Sequence, residues 1–580
     1  MNRLSNEILT LIFKYLHREQ KVQCMLVSRL WNRVLGTGLD IETIEMSSWP
    51  SRQWFDHRLE SLTRRILTNS SSGLRCKRLI IDGSLYKELD KATLAKLFPN
   101  LNFLFLSHER SVLSTNQSSL VTTAQVDQLQ CWRENLITLI EESYTCSFLG
   151  FLKSGTFSRL KTLALSPSRV HFYRPFIVLC KALKNTPTLE MLSVKGVHTD
   201  VTDLEELHNN VPSLTALILL DSPLRCNHGI PVNIKPAERM KTLKMIDSPI
   251  LFNFSLNAFE YIISKYPHMQ EFVFTVDEFY SGILKDDDGH LEAAFNHLIR
   301  RIGSSINTIQ LKLPFKTPLV LDLIVQRSIH LKYISVNTFG AMKTINKIVS
   351  SDCFLHLHTL SLFQVSSLKF NKFKKLPKLK ALILEFKKKR SGSIPIELNN
   401  IIHQLPEGLE ALELENVEII VNPEEDWPNS SIRCLKLKNA QIAKELSSYL
   451  GRHFQKLDKL SLHYCHLEPS FELPDHSLSF VDINILQTPK FKYLGLDSIK
   501  DDRRLFTHLL LTVGDKVSQY LHQREKRPGR TSLYNTVHHD LHDHSLSHTC
   551  TSSPIDPGLT YFHFKCASVH SFYYNGYLVI

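Results

Sequence analysis

Side chains able to do chemistry gather at few places along this 580-residue chain, and their spacing decides what they can do. The densest group is His538, His539, His542, His544, His548 and Cys550. Imidazole and thiolate are zinc ligands, but structural zinc sites place them as separated pairs. This run matches none of those patterns, and imidazoles packed so closely cannot all converge on one ion. Asp286, Asp287 and Asp288 offer carboxylates, yet calcium loops take their ligands from alternating positions, so the run with Gly289 reads as a turn. Gly150–Thr156 copies the glycine spacing of a phosphate loop without the lysine that would reach a phosphate. No G-x-G-x-x-G, H-E-x-x-H, G-x-S-x-G or C-x-x-C occurs. The expectation is a non-catalytic protein with no metal and no cofactor.

Composition says what the chemistry-poor remainder is for. There are 90 leucines but only 20 glycines. A hydrophobic fraction of 43% is too high for a disordered chain. No apolar run approaches the length of a membrane span. The N-terminus, with Arg3, Glu7 and Lys14 among apolar residues, lacks the layout of a secretory signal. Eleven cysteines without framework spacing read as reduced thiols in the cytoplasm or nucleus. The net charge of +12, diluted over the chain, favours acidic partners only weakly. Lys369–Lys380 and Lys387–Arg390 concentrate it; this stretch is an import signal, an acidic-partner patch or a solvated face.

The leucines are periodic. An apolar residue at i, i+3 and i+5 occurs in thirteen copies, from Leu101-Leu104-Leu106 to Leu457-Leu460-Leu462. After a first gap of 59, the mean spacing is 27. The last two apolar positions, two apart, share one side of a short strand. The intervals read as helices over Pro175–Asn185, Leu256–Lys265, Leu291–Ile302, Ile396–Gln404 and Ile442–His453. Pro99, Pro187, Pro212, Pro267 and Pro377 stand two residues before the first apolar position of a copy, where proline stops the returning helix. Cys465, eight after Leu457, reads as a buried turn residue. A 25-residue unit cannot bury its own apolar side, so the copies must stack.

This pattern resembles the leucine-rich repeat family over residues 76–496. The resemblance implies an α/β fold, a strand–helix horseshoe. The expected domains are a helical linker at 41–75, the solenoid at 76–500 and a C-terminal helix and cap with a His-rich loop at 501–580. An insert over about 107–135 replaces one strand copy. The final aromatic stretch, Tyr561–Tyr577, is expected to form capping strands. In such a solenoid, residues two, four and six after each motif start line the concave side. These include Lys195, Ala216, Ile218, Leu220, Lys244, Ile246, Glu271 and Val273, then Gln310, Lys312, Tyr333, Asn337 and Phe363. Glu413, Glu415, Lys436, Lys438, Lys459 and His463 follow. Ile218, Leu220, Ile246 and Val273 would form an apolar patch, and Lys436, Lys438 and Lys459 a basic group. The candidate substrate-binding residues are Leu220, Ile246, Tyr333, Phe363, Glu413, Lys436, Lys438 and Lys459.

The first forty residues lack the repeat. Leu4, Ile8, Leu9, Ile12, Phe13 and Leu16 fall at helical spacing, and Val22–Val34 supplies a second apolar set. Three short helices make a core too small for much stability alone, so such a unit wants a partner. The order Leu4, Glu7-Ile8, Ile12-Phe13, Leu16, Val27-Ser28-Arg29 and Trp31 resembles an F-box over residues 1–40. Ser5 stands where that family has proline, and Lys21-Val22 where it has Asp-Leu. The resemblance implies docking on the Skp-type adaptor of a cullin–RING (SCF-type) ubiquitin ligase, with repeats that hold a protein substrate. By position, Leu4, Ile8, Ile12, Phe13, Leu16 and Val27 would face the adaptor, and Trp31 would anchor the small core. The alternatives are a leucine-rich repeat docking scaffold without ligase role and a regulator of a small GTPase. Neither a membrane nor nucleic acid is an expected partner.

Overall fold

The computed structural model describes residues 43–46, most of 76–485 and the strands between 505 and 578. Its two compact units are Met1–Met269 and Gln270–Ile580. In the first, successive strands run parallel in chain order: Thr43–Met46, Arg78–Ile81, Phe103–Ser107, Thr138–Glu142, Thr162–Leu165, Met191–Lys195, Ala216–Leu220 and Thr242–Ser248. The register keeps Leu79, Leu104, Leu139, Leu163, Leu192, Leu217 and Leu243 side by side. Every member of that column is buried. Because side chains alternate along a strand, one row of leucines per repeat suffices to keep the sheet's inner side dry. Each such side chain contributes about 1.5–3 kcal/mol relative to exposure.

The second unit repeats the scheme with Glu271–Val276, Thr308–Lys312, Tyr333–Asn337, Thr359–Val365, Ala381–Phe386, Ala411–Glu415, Cys434–Lys438, Lys459–Cys465 and Ser470–Ile485. Its column is Phe272, Ile309, Ile334, Leu360, Leu382, Leu412, Leu435, Leu460 and Val481. Helices fill the returns, among them Leu256–Lys265 in the first unit and Asp288–Ile302, Pro318–Gln326, Ala341–Ser350 and Leu446–His453 in the second.

Two turns punctuate each repeat. Before the strand, Pro187, Pro212, Pro267 and Pro377 occupy the second place of a turn closed from Leu189 to Thr186, Leu214 to Val211, Met269 to Tyr266 and Leu379 to Leu376. Proline fits there because its φ is already set and no N–H is required. After the strand, the residue seven places past the motif start takes a positive φ. It is Gly196, Asp221, Gln364, Asn416, Asn439 or Tyr464. The N–H of Gly196, Asp221, Asn416 and Asn439 then donates to the carbonyl six places past the next motif start, of Leu220, Ile246, Lys438 and His463, at 2.7–3.0 Å. The following residue is buried: Val197, Ser222, Val365, Val417, Ala440 and Cys465. Asparagine and aspartate tolerate this conformation, so glycine is used rarely.

Three expectations fail. Thr43–Met46, within the expected helical linker, is a strand that pairs with Arg78–Ile81. Its alternating, β-branched sequence satisfies its backbone groups on an otherwise open edge. The supposed insert at 107–135 hides no missing strand: Thr138–Glu142 pairs on both sides. The helix Gln130–Asn135 precedes it, held by the Trp132 Nε1–H donating to the Phe98 carbonyl at 2.8 Å. The first gap of 59 is thus two repeats. A search for apolar residues passes over this copy because its third position is Glu141, fully buried. The expected C-terminal helix is likewise replaced by strands Leu505–Val513, Lys516–Arg524 and Thr531–His539. Thr507, Thr512 and Val513 favour extended backbone, and Leu505–Val513 pairs with Leu559–Tyr574. The aromatic stretch does form a strand: Leu559–Tyr574 extends the sheet from Ser470–Ile485, with Phe471 stacked on Phe564. No helix among the described residues is long and apolar enough to cross a membrane.

Candidate functional site

The strand side turned away from the helices carries the chain's candidate binding residues. In the second unit, register places Glu413 beside Lys436, then Ser461, then Asp482. The parallel row is Glu415, Lys438, His463 and Asn484. The expected basic group is therefore not basic. The Lys438 ammonium donates to Glu413 at 2.7 Å and lies 3.9 Å from Glu415, while Lys436 is 3.6 Å from Glu413. Burial disfavours the Lys438 ammonium, but its hydrogen bond to Glu413 and the charges of Glu413 and Glu415 outweigh that, so its pKa lies above the ordinary lysine value. One row further on, His463 Nε2 meets the Asp482 carboxylate at 2.8 Å. Cross-strand neighbours of opposite sign attract and those of like sign repel, and this alternation fixes both lysines over the sheet. Lys459 sits apart at the strand start and is exposed.

Tyr333 and Phe363 are half-buried on the same side of the sheet. Burial raises the Tyr333 phenol, and the charges of Glu413 and Glu271 add to the rise, so it stays a hydrogen-bond donor at neutral pH. Ser335 and Ser361 lie in register between the larger groups and are buried. Val273 is also buried and cannot serve the expected apolar patch. The second unit's surface thus combines two separate half-buried aromatics with a ladder of matched charges.

In the first unit, Ile218, Leu220 and Ile246 are half-buried, with Leu220 directly between Lys195 and Ile246. Met191, 39% exposed at the second place of its repeat, extends this short apolar strip. Lys195 reaches the Asp221 carboxylate at 3.8 Å. Met191 and Asp482 were absent from the sequence-derived set. Counting two and four places from Leu189 and Leu478 would have found them.

Nothing in these rows resembles a reaction centre. Cys465 is fully buried, its thiol donates to the Leu437 carbonyl at 3.4 Å, and burial pushes its pKa up to about 12. Cys434 is also raised, by burial first. Among the described residues, no three His, Cys, Asp or Glu side chains stand close enough to share a metal. His538 and His539 end the strand Thr531–His539, while His542, His544, His548 and Cys550 lie outside the described residues. So do Asp286 and Asp287, and the whole adaptor-facing set: Leu4, Ile8, Ile12, Phe13, Leu16, Val27 and Trp31.

Comparison with known proteins addresses that last set. The F-box-like family model matches residues 2–39. No curated protein matches the chain. Among solved structures, it is similar to TLR13 in its ssRNA13 complex, at 15% identity with a TM-score of 0.35, over 70% of this chain and 60% of that one. The chain thus spans less than two thirds of that chain's length. It is also similar to the internalin InlF of Listeria monocytogenes str. 4b F2365, at 11% identity and a TM-score of 0.26, over 62% of this chain and 85% of that one. Residues 2–39 match the F-box-like family model, and the described parallel strands with helices in the returns, one strand per leucine repeat, form an α/β fold of the leucine-rich repeat kind.

Proposed function

We propose that this protein is the substrate-recognition subunit of a cullin–RING ubiquitin ligase of the SCF type, working in the cytoplasm or nucleus. The observation that carries the reading is the F-box-like match at residues 2–39 ahead of a repeat array. F-box domains generally bind Skp1-type adaptors. Leu4, Ile8, Ile12, Phe13, Leu16 and Val27 supply the apolar contacts, and Trp31 holds the small helical core. The repeats hold a protein substrate on the strand face: the apolar strip around Leu220 and Ile246 in the first unit, and in the second Tyr333, Phe363, the ladder of Glu413, Lys436 and Lys438, and Lys459 apart from it. The subunit makes and breaks no bond. It raises the effective concentration of substrate lysines near the conjugating enzyme, and a tether alone achieves that.

Co-purification with the adaptor tests this directly. The full chain retains the adaptor, and the variant Ile12→Asp/Phe13→Asp releases it, because a carboxylate buried against an apolar groove has no partner. Equal retention by both proteins, or by neither, overturns the reading and leaves a docking scaffold without ligase role. Deleting residues 1–40 then isolates the ligands of the repeats.

A further inference from the structure

Charge is distributed unevenly along this chain. Residues 300–390 hold eighteen Lys and Arg against three Asp and Glu, whereas the whole chain has 69 against 57. The rest of the protein is therefore slightly acidic, and the entire positive balance of +12 resides in this stretch.

Among the described residues, part of this charge falls on one rim of the second unit, where each helix turns into its strand. Backbone N–H groups link one row across successive repeats: Lys332 to Asn307, His358 to Lys332, Lys380 to His358, each at 2.8 Å. Two residues earlier in each repeat, His330, His356 and Lys378 form a second row. The two imidazoles are 5.9 Å apart, and the Lys378 ammonium lies 2.8 Å from His356 Nδ1. Lys374 and Lys375 project beside them from the short helix Phe370–Lys375, and Arg300, Arg301 and Arg327 continue the rim from the neighbouring helix ends. All of these except the half-buried His358 are exposed. Few acids offset them. Asp322 is occupied by Lys347, and Glu410 closes the row by pairing with Lys380 at 3.1 Å.

Lys332, Lys374, Lys375, Lys378 and Lys380 with the three arginines carry the charge, and the Lys378 ammonium donates to the His356 imidazole. Attraction to such a surface weakens as salt screens it. The strand face a few residues away mixes its signs. The rim is mostly basic, with Glu410 paired to Lys380 and Asp352 exposed as exceptions, and a predominantly basic surface is complementary to an acidic partner. We propose that this rim docks an acidic segment of a partner protein, rich in Asp or Glu. Two observations favour a protein over a nucleic acid. Of the aromatics in residues 369–390, Phe373 and Phe386 are buried and Phe370 is half-buried with its ring edge-on to Phe373 at 6.3 Å, so none stands open for base stacking. Leu355, next to His356, is 40% exposed and offers an apolar contact that a phosphate backbone does not use. The assignment is independent of residues 1–40.

Fluorescence anisotropy of a labelled oligo-glutamate peptide with the full chain tests it. Wild type binds at low salt and more weakly at physiological salt. Lys374→Glu/Lys375→Glu/Lys378→Glu weakens binding about tenfold or more, the corresponding glutamine triple falls between, and Lys96→Glu/Lys181→Glu/Lys184→Glu in the first unit changes nothing. The glutamine variant guards against misfolding, which circular dichroism detects. The proposal is overturned by any of three results: no binding by wild type at low salt, unaltered binding by the reversed triple, or tighter binding of an RNA duplex of equal charge.

Discussion

Each unit contains a lysine–carboxylate pair that joins neighbouring elements, and the two pairs live in opposite surroundings. In the first unit, Lys265 closes the helix Leu256–Lys265 and reaches Glu205 on the helix Val201–Asn210 at 2.6 Å. The Lys265 side chain is 2% exposed. Beside it, His208 Nε2 meets the Tyr266 hydroxyl at 3.1 Å, and the Tyr261 phenol is raised by burial first and then by Tyr266 and Glu205. In the second unit, Lys438 meets Glu413 at 2.7 Å on the open strand face, and its side chain is 30% exposed. The bond lengths are alike. The difference lies in what replaces the partner when it is removed: water returns to Lys438, but nothing returns to Lys265. A buried pair is therefore costly to break even where forming it contributed little. The half-open pair is cheap to break and free to exchange its carboxylate for a ligand's. The first geometry suits a joint, the second a binding surface.

The largest expected effect breaks the joint from one side. Glu205→Leu leaves the Lys265 ammonium buried and alone, and urea unfolding followed by tryptophan fluorescence should show a loss of about 3–5 kcal/mol. Adding Lys265→Met should restore most of it. If the double variant is as unstable as the single, packing rather than the stranded charge is responsible.

Next is the pH response of the same cluster. Burial first, and then the Lys265 charge, depress His208 from the usual 6.5 to about 3. The unfolded chain then binds a proton below about 6.5 that the folded chain refuses until about 3. Stability is complete above the first value and is lost progressively as pH falls toward the second, at most about 1.4 kcal/mol per pH unit. His208→Phe removes this slope, so wild type and variant should converge as pH is lowered from 7 to 5. Parallel stability profiles would sink the assignment.

The open pair gives a smaller change. Lys438→Ala should cost about 0.5–1 kcal/mol of stability while altering retention of whatever the repeats bind. A loss of several kcal/mol would mean that the strand face is built like the helix joint. Smallest is Tyr464→Gly. At φ 56 the tyrosine is strained, and glycine adopts this conformation freely, so the melting temperature should hold or rise slightly. A marked fall would show that the exposed ring packs against something.

The strand ladder was legible in the sequence to the residue, because the leucine at i+3 must face inward in every repeat and parallel pairing then fixes its neighbours. Cys465 and the proline turns were legible for the same local reason. The copy at Leu136-Leu139-Glu141 was not, since a buried carboxylate breaks an apolar pattern without breaking the strand. The candidate site was half legible. Counting along a strand located Glu413, Lys436 and Lys438, but whether they add up to a basic group depends on what lies one strand away, 23 residues earlier or 25 later.

What the sequence by itself determined, then, is everything with a local cause: repeat length, which side of each strand is dry, where the chain turns, and the F-box-like order of residues 2–39. What only the tertiary structure decided is every pairing of distant charges. Lys265 finds Glu205 sixty residues back, Lys438 is neutralised by Glu413, and Lys378 meets the His356 imidazole on a mostly basic rim. Periodicity fixes which direction a side chain faces. Coulomb energy depends on distance through space and on the surrounding dielectric, and those exist only once the repeats have stacked.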